Sequence, residues 1–396
     1  MKKNWREGFF TGVLLLCMLC ASCSREEKAP VSFVTKWEVE PSFKYEVCNF
    51  AGIMTGREFY TRYYPELYAE WKKRLTPAAG LALKTMNGII GPDTPPGPRL
   101  CLLLAAWAGD RSRALPPDSL SAILRSLDER RAVPRWSLNL AQDNAFDAKQ
   151  WQAIKPHFRI FLEFLQKENF ETYWRSQLLP AINRQAPYLR QELQAFDVIG
   201  DLERFLVDCN LPDTIYVHVT RLTQPHALRL PGQHYVTDMT YPIHVTVKSA
   251  YHELAHPYAG RVVDSLLAEP FKRLERDSFL QLTVARIDQK TGYKNVKTFF
   301  QEEVTMAAEM WVAERRRMLS QITHTSGADP ALAARRYLTG QDEGIHVLAA
   351  VIFSYLVEGL KKDDDSYTEF LRMLFDSGRL APGTIEERYN KFMNLQ

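Results

Sequence analysis

"SAYHELAHPYAG", residues 249–260, contains His-Glu-x-x-His, with His252 and His256 four places apart. On a helix, positions i and i+4 share a face one turn apart, so both imidazoles would address one point. Glu253 lies about 100° further round the helix, off that point, and stays free to act as a general base. The spacing therefore suits a tetrahedral Zn2+ held by two imidazoles. With nine His in 396 residues, HExxH arises by chance on the order of once per hundred such chains, so the surroundings must support the motif.

Upstream, "TIYVHVTRL" (214–222) alternates Ile215, Val217 and Val219 against Tyr216, His218 and Thr220. "HYVTDMT" (234–240) and "IHVTV" (243–247) are also short and β-branched, and "QPHA" and "LPGQ" supply turns between the segments. A small mixed sheet is expected to precede the motif helix directly, with Ser249 as a candidate N-cap. Downstream, "GRVVDSLLAEPFKRLERDSFLQLTV", "VKTFFQEEVTMAAEMWVAERRRML" and "GIHVLAAVIFSYLVEGL" read as helices, with "DQKTGYKN" and "THTSGADP" as loops between them. "KKDDD" (361–365) reads as a solvated turn.

From about residue 43 to 210 the patterns are also helical. "REFYTRYYPELYAEWKKRL" spaces Phe59, Tyr63, Tyr64 and Tyr68 at roughly a helical period. "PDSLSAILRSLDERR" puts Leu120, Ile123, Leu124 and Leu127 on one stripe, and "IFLEFLQKENFETYW" continues the habit. Such aromatic stripes are read as core packing.

Two histidines do not complete a catalytic zinc site, which takes a third protein ligand. A metzincin would need Gly at 259 and His at 262, where this chain has Ala259 and Val262. "TFFQEEVTMAAEMWV" offers Glu302, Glu303 and Glu309 on a helix whose apolar positions mark it as largely buried, where a carboxylate needs a metal or a cation. At least one of the three is expected on the surface, facing Arg315–Arg317. Asp264 is a further candidate. Ala307 and Ala308 would allow this helix to approach the motif helix closely. Tyr235, Tyr241 and His346 are candidates, by position, to stabilise the oxyanion of peptide hydrolysis. Pro257 removes one helix hydrogen bond and disfavours helical geometry at His256, so an end or a kink is expected there.

The N-terminus reads as a targeting segment. Lys2, Lys3 and Arg6 precede the apolar run "FFTGVLLLCMLCAS", which is shorter than a membrane span and leads directly to Cys23. The arrangement resembles the lipobox of bacterial lipoproteins, with Cys20 where a Leu is usual, and implies acylation of Cys23. "SREEKAP" follows as a tether, and Glu26–Glu27 resembles a surface-export signal. Of the six cysteines, Cys48, Cys101 and Cys209 would remain beyond Cys23: too few for a disulfide framework, and without CxxC spacing.

Composition is that of a packed globular chain, 46% hydrophobic and 24% charged. Fifty Lys+Arg against 47 Asp+Glu, a net charge of +3, give no footprint for nucleic acid.

"YHELAHPYAGRVVDSL" followed by "FFQEEVTMAAE" resembles a family of bacterial secreted lipoproteins with a zincin-like, gluzincin-type metallopeptidase domain. The likeness runs loosely over residues 40–390 and is specific only in these two segments. It implies that Glu303, five places before Ala308, is the third ligand.

The expected organisation is a signal at 1–22, a tether and first strand at 23–40, a helical region at 41–210 and a zincin-like region at 211–396. The expected fold is α+β, mostly helical, with a small mixed sheet before the HExxH helix. The expected function is a zinc metallopeptidase, lipid-anchored at the cell envelope on the outer membrane or cell surface. It would hydrolyse peptide or protein substrates with a zinc-activated water and Glu253 as general base. The alternative is a catalytically inactive, zincin-like binding or scaffold lipoprotein.

Overall fold

The computed structural model describes residues 34–92, 94–108, 119–128, 147–230, 232–286, 296–325, 329–340 and 344–395. Cys23, its signal and its tether lie outside the described residues, as do Pro117, Asp118 and the "DQKTGYKN" loop. Among the described residues no helix is long and apolar enough to cross a membrane.

The fold is mostly helical, with one mixed four-stranded sheet, as expected of an α+β chain. Strand β1 (Lys36–Pro41) leads into helix α1 (Phe43–Met54), followed by α2 (Pro77–Ile90), α3 (Pro96–Ala108) and α4 (Ala148–Lys167). Then come α5 (Leu179–Leu193), α6 (Val198–Leu206), β2 (Thr214–Thr220), β3 (Leu228–Leu230) and β4 (His234–Asp238). The motif helix α7 (Ile243–Arg261) precedes α8 (Val296–Arg315), α9 (Pro330–Gly340), α10 (Val347–Val357) and α11 (Tyr367–Asp376), with shorter helices between these elements. The aromatic stretch after α1 is not one helix. It breaks between Glu58–Thr61 and Pro65–Lys72, because Pro65 cannot continue a helix but opens the next one at its first position.

The strand order is β1-β2-β4-β3. β1, β2 and β4 run parallel, and β3 lies antiparallel to β4 at the edge. Strand alternation divides the apolar side chains between two cores. Trp37, Val39, Ile215, Val217, Val219 and Tyr235 join the core built by α5 to α8 and α10. Leu230 and Val236 join the core of α1 to α4, which is centred on rings such as Phe50, Trp71, Phe161 and Phe170. The helices of the N-terminal core run to Leu178, while Ile182 to Leu206 pack with the motif half of the molecule. The helices of residues 41–210 thus contribute to both cores, changing over near residue 180. The cause is β1: α5 lies against it, Arg190 donates to Val39 O at 2.6 Å, and Trp37 Nε1 donates to Phe196 O at 3.0 Å.

"IHVTV" is the first turn of α7, not a strand, and Ser249 lies inside that helix rather than capping it. Thr246, Val247, Ala250, Tyr251, Leu254, Ala255 and Tyr258 are all buried, a 3.6-residue repeat that outweighs the modest helical cost of β-branched residues. Pro242, immediately before Ile243, sets the helix start. Ala250, Ala255 and Ala259 on α7 and Ala307 and Ala308 on α8 are buried in the same core, and these small side chains let the two helices pack closely. α10 is buried from Val347 to Leu356, as a helix apolar all round must be.

Candidate metal centre

The centre is built on the faces of α7 and α8 that meet. His252 and His256 stand one turn apart on α7, with Nε2 to Nε2 at 3.1 Å. Glu302 of α8 brings Oε1 to 3.3 Å from His252 Nε2 and Oε2 to 3.6 Å from His256 Nε2. These three side chains form the group among the described residues that could hold a metal ion. Metal bonds of about 2.0–2.1 Å in a tetrahedron place neighbouring ligand atoms about 3.3–3.4 Å apart, so the observed spacings fit such an ion.

The hydrogen bonds behind the imidazoles point the same way. His252 Nδ1 lies 2.9 Å from Glu309 Oε2, an acceptor. Thr305 Oγ1 donates to Gln301 O at 2.9 Å, which leaves its lone pair for His256 Nδ1 at 3.3 Å. Both rings are thereby held with Nδ1 protonated and Nε2 aimed at the shared point. Two nitrogen lone pairs that face each other at 3.1 Å repel unless a positive charge lies between them. Burial opposes charge on His252, yet Glu302 and Glu309 raise its pKa well above the ordinary imidazole value. Burial likewise opposes charge on Glu302, and the imidazoles of His252 and His256 overcome it and hold that carboxyl well below its usual range. A cation at this point, whether a proton or a metal ion, is what the surrounding groups favour.

The third carboxylate is Glu302, and the expectation of Glu303 is corrected. Glu303 is rotated about 100° away along α8. It is fully buried, its Oε1 lies 2.7 Å from His346 Nδ1, and its Oε2 accepts from Ala349 N–H at 2.8 Å. It thus caps the first turn of α10 and pairs with His346. His346 is correspondingly buried, at 1% exposure, and engaged with Glu303, so its expected place as an oxyanion stabiliser is not what the geometry provides. Tyr241 hydroxyl donates to His226 O at 3.3 Å, and Tyr235 hydroxyl to Thr246 O at 3.4 Å. Both tyrosines therefore brace backbone near the sheet. Asp264 lies in a π-helical turn, Val262–Leu266, where it takes Gln301 Nε2 at 2.9 Å and Lys297 Nζ at 3.1 Å, away from the imidazoles. None of the three α8 carboxylates is a surface group facing the Arg315–Arg317 run: Glu303 and Glu309 are fully buried, and the Glu302 side chain is 14% exposed.

Pro257 does not end the helix, which continues to Arg261. The ring sits on the exposed side of α7, and the two imidazoles still converge. Glu253 accepts from Arg229 N–H at 3.2 Å. That amide belongs to β3, and the bond directs Glu253 towards the strand at the edge of the sheet.

Sequence reading did not find Thr305, Lys248 and Tyr337, and it named Glu309 only among the candidate ligands. Glu309 holds His252 rather than a metal, and Lys248 Nζ lies 3.4 Å from its Oε1. A signal was present: 302, 305 and 309 follow the i, i+3, i+7 spacing of one helical stripe, which 303 does not share. Cys48, Cys101 and Cys209 are all free thiols. No family model, curated protein or solved structure matches this chain.

Proposed function

We propose that the chain is a zinc-dependent metallopeptidase, held at the bacterial cell envelope by acylation of Cys23. The observation that carries this reading is the convergence of His252 Nε2, His256 Nε2 and the Glu302 carboxylate at separations of 3.1, 3.3 and 3.6 Å. Two imidazoles and one carboxylate make up a donor set suited to a catalytic zinc, which takes three protein ligands. When bound, zinc acidifies water and polarises a carbonyl.

The remaining work falls to the chain's own groups. Glu253 takes the proton of the attacking water and returns it to the departing amine. Its carboxylate already accepts a β3 amide, at 3.2 Å from Arg229 N. β3 pairs with β4 and is the last strand of the sheet among the described residues. An extended substrate that lies along β3 would pass beside Glu253.

The test is zinc stoichiometry of the full-length protein, together with hydrolysis of a mixed peptide library by wild type, Glu253→Gln and His252→Ala. Glu253→Gln should keep zinc and lose activity by about 10²–10⁴-fold, the usual contribution of a positioned acid–base group. His252→Ala should lose both. Full activity in Glu253→Gln, or a wild type that takes up no zinc, refutes the proposal. Zinc without cleavage of any peptide turns the assignment to a non-catalytic binding or scaffold protein.

A further inference from the structure

Behind His252 lies a closed ring of three side chains from three helices. Glu309 of α8 lies across two rungs of α7, because Lys248 and His252 are four residues apart on the same face. Its Oε2 meets His252 Nδ1 at 2.9 Å, and its Oε1 accepts from Tyr337 hydroxyl at 3.2 Å and lies 3.4 Å from Lys248 Nζ. Lys248 Nζ in turn donates to Tyr337 oxygen at 2.6 Å and sits 5.1 Å from the centre of the same ring. Glu309 is fully buried, Tyr337 is 6% exposed, and α9, which carries Tyr337, supplies no metal-facing group.

A glutamate has three side-chain torsions, and in the absence of other partners its carboxylate can reach a histidine in several poses. Here Lys248 and Tyr337 occupy one oxygen, so the direction of the other is set.

We propose that Lys248 and Tyr337 are positioning residues of the metal centre: they clamp Glu309 so that it holds His252 with Nε2 directed at the metal point. The proposal rests on the metal-centre reading of His252, His256 and Glu302. It assigns the buried lysine a task in metal affinity rather than in catalysis or in stability alone.

The test is a double-mutant cycle on zinc affinity in the full-length chain, read by competition with a chromophoric chelator. The ligand-field spectrum of the cobalt(II)-substituted protein supplies a second readout. Lys248→Met should weaken zinc binding by about 10–100-fold, the range seen when the outer partner of a metal-bound histidine is lost. Glu309→Gln should weaken it to a similar degree, and adding Lys248→Met to Glu309→Gln should change it less than twofold further, since the lysine acts through that carboxylate. Tyr337→Phe, which removes one hydroxyl and keeps the ring, should move in the same direction by a smaller factor and shift the cobalt spectrum. It serves as the single-site variant if Lys248→Met does not fold. Zinc affinity within twofold of wild type in folded Lys248→Met and Tyr337→Phe, or full additivity in the cycle, overturns the clamp while leaving the metal centre standing. A wild type that takes up neither zinc nor cobalt overturns the metal centre itself, and the clamp with it.

Discussion

Exchanging the neighbouring glutamates of α8 separates the metal ligand from the structural carboxylate. Glu302→Ala removes the group that faces both imidazoles at 3.3 and 3.6 Å, and its side chain is only 14% exposed. Structural zinc sites with four ligands bind with about 10–16 kcal/mol, so one ligand accounts for roughly 3–4 kcal/mol, or on the order of 10²–10³ in affinity. The fold loses little, because no buried donor depends on Glu302 alone: His252 keeps Glu309, and His256 keeps Thr305. Glu303→Ala has the opposite profile. It strips His346 Nδ1 and Ala349 N–H of their acceptor in a fully buried place. Breaking a buried pair costs about 3–5 kcal/mol, a large share of the roughly 5–15 kcal/mol that holds a domain together. Zinc titration with a competing chelator, run beside thermal melts of the metal-free proteins, reads both quantities. The expected result is a Glu302 variant that melts like wild type and binds zinc poorly, and a Glu303 variant that melts lower and binds zinc normally when folded. A Glu303→Ala protein with wild-type stability and lost zinc affinity would refute the assignment of Glu302.

Three further outcomes are expected. Burial lowers the His226 pKa to about 4 while its ring meets Tyr60 hydroxyl at 3.1 Å. Because the folded value is depressed, His226 is neutral in the fold, and stability is lost as pH falls from the ordinary imidazole value of about 6.5 towards 4, at no more than about 1.4 kcal/mol per pH unit. Thermal melts of His226→Gln across that window should fall less steeply than wild type, and parallel curves would remove His226 as the cause. Glu46 is fully buried and accepts from Arg221 N–H, Leu222 N–H and Trp174 Nε1. Glu46→Ala should therefore cost about 2–5 kcal/mol in chemical denaturation, as buried donors lose their acceptor, and a loss below 1 kcal/mol would contradict that account. Intact-mass analysis of membrane-derived protein should show a chain that begins at an acylated Cys23. A free thiol at Cys23 would end the lipid-anchor proposal.

The spacing of His252 and His256 was legible because a helix turns local sequence directly into geometry: four residues are one turn, whatever the fold. The strands β2 and β4 were legible for a similar reason, since alternation has a period of two. "IHVTV" misled because β-branched composition was given more weight than the longer repeat through Thr246, Val247, Ala250, Tyr251 and Leu254, which burial makes helical. The choice between Glu302 and Glu303 is of another kind. Both belong to a buried helix, and a rotation of α8 by one residue would exchange them. That rotation is set by what α8 packs against: the two imidazoles of α7, which meet its Glu309 and Thr305 on one side, and His346 with the first turn of α10, which meet its Glu303 on the other. These partners lie up to 57 residues away in the chain. The sequence by itself determined the two histidines and the free glutamate of one helical turn. Only the tertiary structure decided which carboxylate completes them, because a ligand from a second helix depends on the rotation and register of two packed surfaces, and no local spacing encodes these.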